Sequence, residues 1–187
     1  MANTIEQPTV GTKTIYTLDP SHSQVSFAAK HMMVTTVRGT FGEVTGKIAL
    51  DENDFTKSEI DATIDIAGLS SRDEKRDAHL RSADFFDAEN HPTAEFKSTK
   101  IVSKGGDKYE VFGDLTVRGE TKPVVLQAEY DGKGVNPWGQ EIMGFSATTE
   151  INRKDWNLNW NVALEAGGWL VGEKIKLEIA TEAKREQ

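Results

Sequence analysis

The chain has 187 residues, no cysteine, and 30 acidic against 22 basic side chains, for a formal net charge of −8. This length fits one domain, and the missing cysteines exclude a disulfide framework, a thiolate nucleophile and any Cys-ligated metal or cluster. The acidic balance argues against a nucleic-acid surface and against docking on anionic lipid.

In chain order, residues 1–13 are polar and are expected to be a loose N-terminal segment. They lack a basic stretch followed by an apolar one, so no signal peptide is read there. A cytoplasmic location follows from that reading, or a periplasmic one if a leader has been removed. No run approaches the roughly 20 apolar residues of a membrane span.

Period two then dominates. Val25, Phe27, Ala29 and His31 alternate with polar or small neighbours. So do Val44, Gly46, Ile48 and Leu50, and after them Ile60, Ala62, Ile64 and Ile66. Further on come Tyr109 to Val117, Val124 to Tyr130, Phe145 to Ile151 and Ile175 to Ile179. Each run predicts a half-buried strand with one apolar and one wet face. Turn signals separate them: Lys104–Asp107, Arg118–Glu120, Asp131–Gly134 and Asn136–Pro137. Strands joined by short turns predict an all-β, antiparallel meander of about eight or nine strands. About eight suffice for a closed β-barrel that holds one ligand.

One segment breaks the period. Ser71 and Glu74 match a capping box, Asp73 falls in the expected first turn and Arg81 in the last. This predicts a short helix over residues 72–82, with few apolar residues, lying over the barrel. Phe85 and Phe86 follow it as anchors. The stretch Trp156–Gly168 reads equally as a helical turn or a loop. Residues 182–187 are expected to fray, which places the domain at 14–182 and a flexible tail at 183–187.

Catalytic signatures are absent. No GxGxxG or GxSxG occurs, and Gly42–Lys47 is one residue short of a phosphate loop, with Ile48 where a hydroxyl is needed. His22, His31, His79 and His91 do not fall at metal-ligand spacing, and no metal site is expected. Asp73 with Asp77, or Asp84 with Asp87, can be read as an acid/base pair or as ion-pairing partners of Arg72, Arg76 and Arg81. The inventory of 8 Phe, 4 Trp, 3 Tyr and 4 Met shares its faces with Ala29, Gly46, Ala62, Gly113, Ala128 and Ala147. Large and small side chains there either fill a taper or leave a void.

Five segments, in order, resemble the YceI-like family of polyisoprenoid-binding proteins. They are Leu18–Ser23 with Val25–Phe27 and Lys30–Met32; Thr36–Phe41; Arg76–Asp87 continuing to Pro92 and Phe96–Thr99; Gly113–Gly119 with Thr121–Val124; and Gly144–Ala147 with Ile151–Trp156 and Gly167–Gly168. The resemblance implies a lipocalin-like barrel that binds, stores or carries a long isoprenoid lipid of polyprenyl, quinone or prenyl-phosphate type. It implies no catalysis, no covalent cofactor and a homodimer. The ligand-binding residues expected on this reading are Phe27, Ala29, His31, Phe41, Ala62, Ile64, Arg76, His79, Leu80, Phe85, Phe86, Phe96, Phe145, Ala147, Trp156 and Trp160. Arg76, His79, Arg81 and His31 are the candidates for meeting a polar head. The alternative is an enzyme on an apolar substrate, with His79 and Asp77 or Asp84 as acid and base. Asn157 stands where the family often carries glycine after an aromatic residue.

Overall fold

A computed structural model describes residues 13–186. The strands are β1 (Thr14–Leu18), β2 (Gln24–His31), β3 (Thr35–Thr40), β4 (Val44–Leu50), β5 (Glu59–Asp65), β6 (Thr93–Gly105), β7 (Lys108–Val117), β8 (Glu120–Val135), β9 (Glu141–Asn152) and β10 (Val171–Arg185); the helix α1 is Glu74–Arg81. All pairings are antiparallel. β1 pairs with β4 and β2 with β3, so β1–β2 and β3–β4 form one long hairpin bent in the middle. The remaining strands follow as a meander, and β10 returns to pair with both β1 and β2. Ten segments therefore occupy eight ring positions, and the antiparallel barrel closes.

Inward positions match the period-two reading. Val44, Ile48 and Leu50 of β4, Ile64 of β5, Val111 and Leu115 of β7 and Val124 of β8 are buried. One end of the barrel, here the upper end, carries the β2–β3 turn, α1 with the chain around it, the β7–β8 turn and the loop between β9 and β10. The lower end carries residues 51–58, the β6–β7 turn and the β8–β9 loop.

The sequence pattern misses three strands. β1 is only five residues long. β3, Thr-Thr-Val-Arg-Gly-Thr, has no buried residue. β6 changes phase at a bulge between Ser98 and Lys100, which hides its period. Two boundaries also move. Asp131–Gly134 lies inside β8, where Gly132 (φ 120°) absorbs a register shift; the loop proper spans Asn136–Gln140. The expected tail is strand as far as Arg185, because Ala183 is fully buried against β1 and the Glu186 N–H donates to Ile15 O at 2.9 Å. Residues 1–12 and 187 of the expected loose termini lie outside the described residues.

The helix starts later than its capping box suggests. Asp73 is the cap, accepting from the Arg76 N–H at 3.0 Å. Ser71 is unavailable because its N–H and hydroxyl both donate to the buried Asp77 carboxylate. Arg72, at φ 64°, turns the chain between them.

Closure rests on the corner between β1 and β2. The Asp19 N–H donates to Glu182 O at 2.8 Å, and the Glu182 N–H donates to Ser23 Oγ at 3.2 Å. The buried Asp19 carboxylate takes Lys184 Nζ at 2.7 Å and His22 Nδ1 at 2.7 Å. Asp19, His22 and Glu182 could hold a metal ion by geometry, but the Lys184 ammonium already supplies the cation. Lys184, with smaller help from His22 and Ser21, holds the Asp19 carboxyl well below the usual carboxylate range against the opposing effect of burial. Its contribution to stability is present above the ordinary carboxylate pKa and fades as pH falls through the lowered one. Asp19, then Glu182, holds the His22 imidazolium protonated to higher pH than usual. That contribution is complete below the ordinary histidine value and is lost as pH rises through the raised one. Thermal midpoints should therefore fall as pH rises from the ordinary histidine value, about 6.5, through the raised one, and His22→Ala should flatten that fall; identical slopes would disconnect the corner from the titration.

Candidate functional site

The barrel interior is not filled. A cavity of about 270 Å³ runs along it, from Phe55 and Tyr109 near the lower end to Trp156 and Leu158 near the upper end. It exceeds the ~150 Å³ of an apolar cavity that stays dry and accepts benzene. Every ring position contributes to its wall.

The wall is hydrocarbon because its polar atoms are turned to partners. Thr149 and Thr181 hydroxyls donate to the carbonyls of Val125 (2.8 Å) and Phe145 (3.2 Å). Ser146 Oγ donates to Asp131, Ser58 Oγ accepts from the Asp51 N–H, and Trp156 Nε1 donates to Leu115 O at 3.0 Å. Burial pushes the Tyr109 phenol up from its ordinary pKa.

Large rings fit the wall because glycines face them. A Cβ on Gly39 would stand 2.4 Å from Phe27 Cζ, and one on Gly113 would stand 2.4 Å from Phe96 Cζ. The rings reach across the neighbouring strand at those glycines.

Aromatics close both ends. Below, Phe55 meets Tyr109 (5.6 Å between centroids), Tyr130 (5.3 Å) and Phe145 (6.4 Å). Above, Phe41 bridges Phe27 (5.1 Å) and Phe86 (5.7 Å), and Phe85 packs on Trp160 (5.4 Å). The segment after α1 is pinned there by Arg118 Nη1, which donates to Phe85 O at 2.9 Å.

Of the expected ligand residues, Phe27, Ala29, Phe41, Ala62, Ile64, Leu80, Phe85, Phe86, Phe96, Phe145, Ala147 and Trp156 line the cavity. His31, Arg76, His79 and Trp160 do not. Arg76 donates to Ser71 Oγ (2.7 Å) and Ser71 O (2.8 Å), fixing the approach to α1. Arg81 is held by the carbonyls of Ala67 and Leu69. His79 bonds Asp84 at 2.8 Å and stands edge-on to Trp160 at 4.5 Å. It makes no bond to Asp77, whose carboxylate is held by Ser71.

Sequence reasoning missed Arg153. A turn of 3₁₀ helix, Arg153–Trp156, ended by Asn157 at φ 60°, leads into the stretch Trp156–Gly168, which beyond Trp156 is loop. Asparagine tolerates that left-handed conformation better than most residues, so it can end the turn there without a glycine. Arg153 lies on the inward parity of β9, lines the cavity and is 4% exposed. Its Nε donates to Gly172 O (2.9 Å), Nη1 to the carbonyls of Leu158 and Trp160, and Nη2 to Val171 O (3.3 Å). No carboxylate forms an ion pair with it among the described residues. Burial lowers its pKa from the ordinary guanidinium value. The signal available in the sequence was an arginine at an apolar position of a strand's alternation.

Residues 16–183 match the YceI-like domain. The chain belongs to the YceI-like family. A UPF0312 protein of Vibrio cholerae is 37% identical over 160 residues, 84% of this chain and 85% of that protein. The YceI protein of Campylobacter jejuni shares the fold with a TM-score of 0.71 at 30% identity, covering 84% of this chain and 90% of that one. A polyisoprenoid binding domain of Saccharophagus degradans, implicated in plant cell wall breakdown, also has a TM-score of 0.71, at 13% identity over 93% of this chain and all of that domain. Each of these likenesses extends over most of the barrel.

Arg153→Met removes four backbone-directed bonds from the loop that closes the upper end. It should lower stability by about 2–4 kcal/mol, read by urea denaturation. An unchanged midpoint would show that the loop holds without the guanidinium.

Proposed function

We propose that this YceI-like barrel binds a long isoprenoid lipid in its interior and stores or carries it without acting on it chemically. The observation that carries this reading is the continuous hydrocarbon wall between the two aromatic ends. Burying a hydrocarbon chain yields about 0.8 kcal/mol per CH₂, so tens of carbons hold tightly without any polar contact. Ordering and rim desolvation keep the net affinity far below that sum. Such a site selects by length and shape. A polyisoprenoid binding domain with the same fold supports this ligand class.

The polar head needs a partner, and Arg153 is the charged group on the wall. Four of its five N–H groups are committed to carbonyls, which leaves one on Nη2. A prenyl phosphate or a quinone oxygen suits that donor, and a phosphate also compensates the buried charge. The acid/base alternative is less well supported, because the His79–Asp84 pair stands off the wall.

Ala62 and Ala147 leave the space that a chain would fill. Ala62→Trp and Ala147→Trp should each cut uptake of a polyprenyl alcohol by at least about tenfold, with an unchanged strand signal in circular dichroism. Wild-type uptake by both variants, still folded, would contradict binding in the interior.

A further inference from the structure

Two neighbouring loops at the upper end expose apolar side chains. The first is the β2–β3 turn, where the Val34 N–H donates to His31 O at 3.1 Å. Its central residues, Met32 and Met33, have φ of 48° and 61°. Positive φ at both central positions is the condition of the type I′ hairpin turn, whose usual occupants are Asn-Gly. The β7–β8 turn has the same pair of signs and places glycine second: Arg118 at 49° and Gly119 at 76°. The Met-Met turn has no such relief. Its side chains gain little packing either, since Met32, Met33 and Val34 are 48%, 67% and 77% exposed. A position unfavourable to its own backbone and poorly packed points to a use for the side chains themselves.

The second loop joins β9 to β10 and presents Val162, 45% exposed, and Trp169, 51% exposed. The two loops form one surface. The Met32 N–H donates to Leu170 O at 2.8 Å, and Met33 Sδ occupies the space where a Cβ on Gly168 would stand. The same β9–β10 loop lines the cavity through Trp156 and Leu158. The apolar rim and the cavity wall are thus built from one segment.

We propose that this rim is the surface by which the protein meets a bilayer of electrically neutral headgroups, inserting Met32, Met33, Val34, Val162 and Trp169 as lipid enters or leaves the barrel. It rests on the lipid-binding reading of the cavity. A second copy of the chain is a poorer occupant. A stable dimer buries roughly 20–30 residues a side, against five side chains on loop tips, and two chains of net charge −8 repel each other. The same charge disfavours an anionic bilayer, so insertion here is driven by apolar burial and should depend little on salt.

The test replaces the turn by the residues its backbone prefers, Met32→Asn with Met33→Gly. Thermal stability should hold or rise, and lipid carried through purification should remain. Transfer of a pyrene-labelled polyprenyl lipid between phosphatidylcholine vesicles should slow by about tenfold or more. Trp138→Ser, on a lower-end residue that is 82% exposed, should transfer at the wild-type rate. A wild-type rate in the turn variant, with its lipid content intact, would overturn docking and leave the cavity reading standing. A turn variant that changes from dimer to monomer in sedimentation would assign the rim to a second copy and also overturn docking. Rim-dependent flotation with vesicles by a protein that takes up no lipid would support docking and remove the cavity reading.

Discussion

The edge of β10 is divided between two strands, and the rest of the molecule depends on that division. β2 pairs with its first part and β1 with its last residues. The chain must therefore step between β1 and β2 without losing the edge. Asp19 makes this possible: its backbone bonds to β10 while its buried carboxylate gathers Ser21, His22 and Lys184. With the corner in place no strand edge is left open along that seam, and the sheet encloses a space.

The enclosed space exists because the wall is thin where it might have been thick. Phe27 and Phe96 lie over Gly39 and Gly113 instead of pointing at each other across the axis. Ala29, Ala62, Ala128 and Ala147 take other inward positions. Bulk is concentrated at the ends, around Phe55 below and around Phe41, Phe85 and Phe86 above. The Thr149, Thr181 and Ser146 hydroxyls on the wall are spent on backbone carbonyls or a neighbouring carboxylate, and Arg153 is the charged group facing hydrocarbon. That distribution suits a container for an apolar chain with one polar end.

Much of this was legible in the sequence, and the losses have physical causes. Strands with Val, Ile, Leu or Phe at every second position announced themselves, as Ile60–Ile66 and Tyr109–Val117 did. β3 did not, because Val37 is its single apolar side chain among threonines, an arginine and a glycine, and β6 did not, because its bulge shifts the period. Ala183 is fully buried but too small to mark the end of β10 as core. The wall residues followed from alternation, since parity decides which side chains face inward. The placement of Arg76, Arg81 and His79 did not follow, because charge and spacing leave head-group contact and local pairing equally open. Their partners, Ser71, the carbonyls of Ala67 and Leu69, and Asp84, are set by the path of the chain around α1. The large-beside-small pattern was ambiguous between a taper and a void, and only the closed ring shows where the space lies.

A long isoprenoid chain held in the interior should survive native purification and be recovered by organic extraction of the protein followed by mass spectrometry of the extract. Prenyl species in near-stoichiometric amount, released on denaturation, are the expected result. An extract without prenyl species, from protein that also fails to take up added polyprenyl lipid, would contradict binding of such a chain.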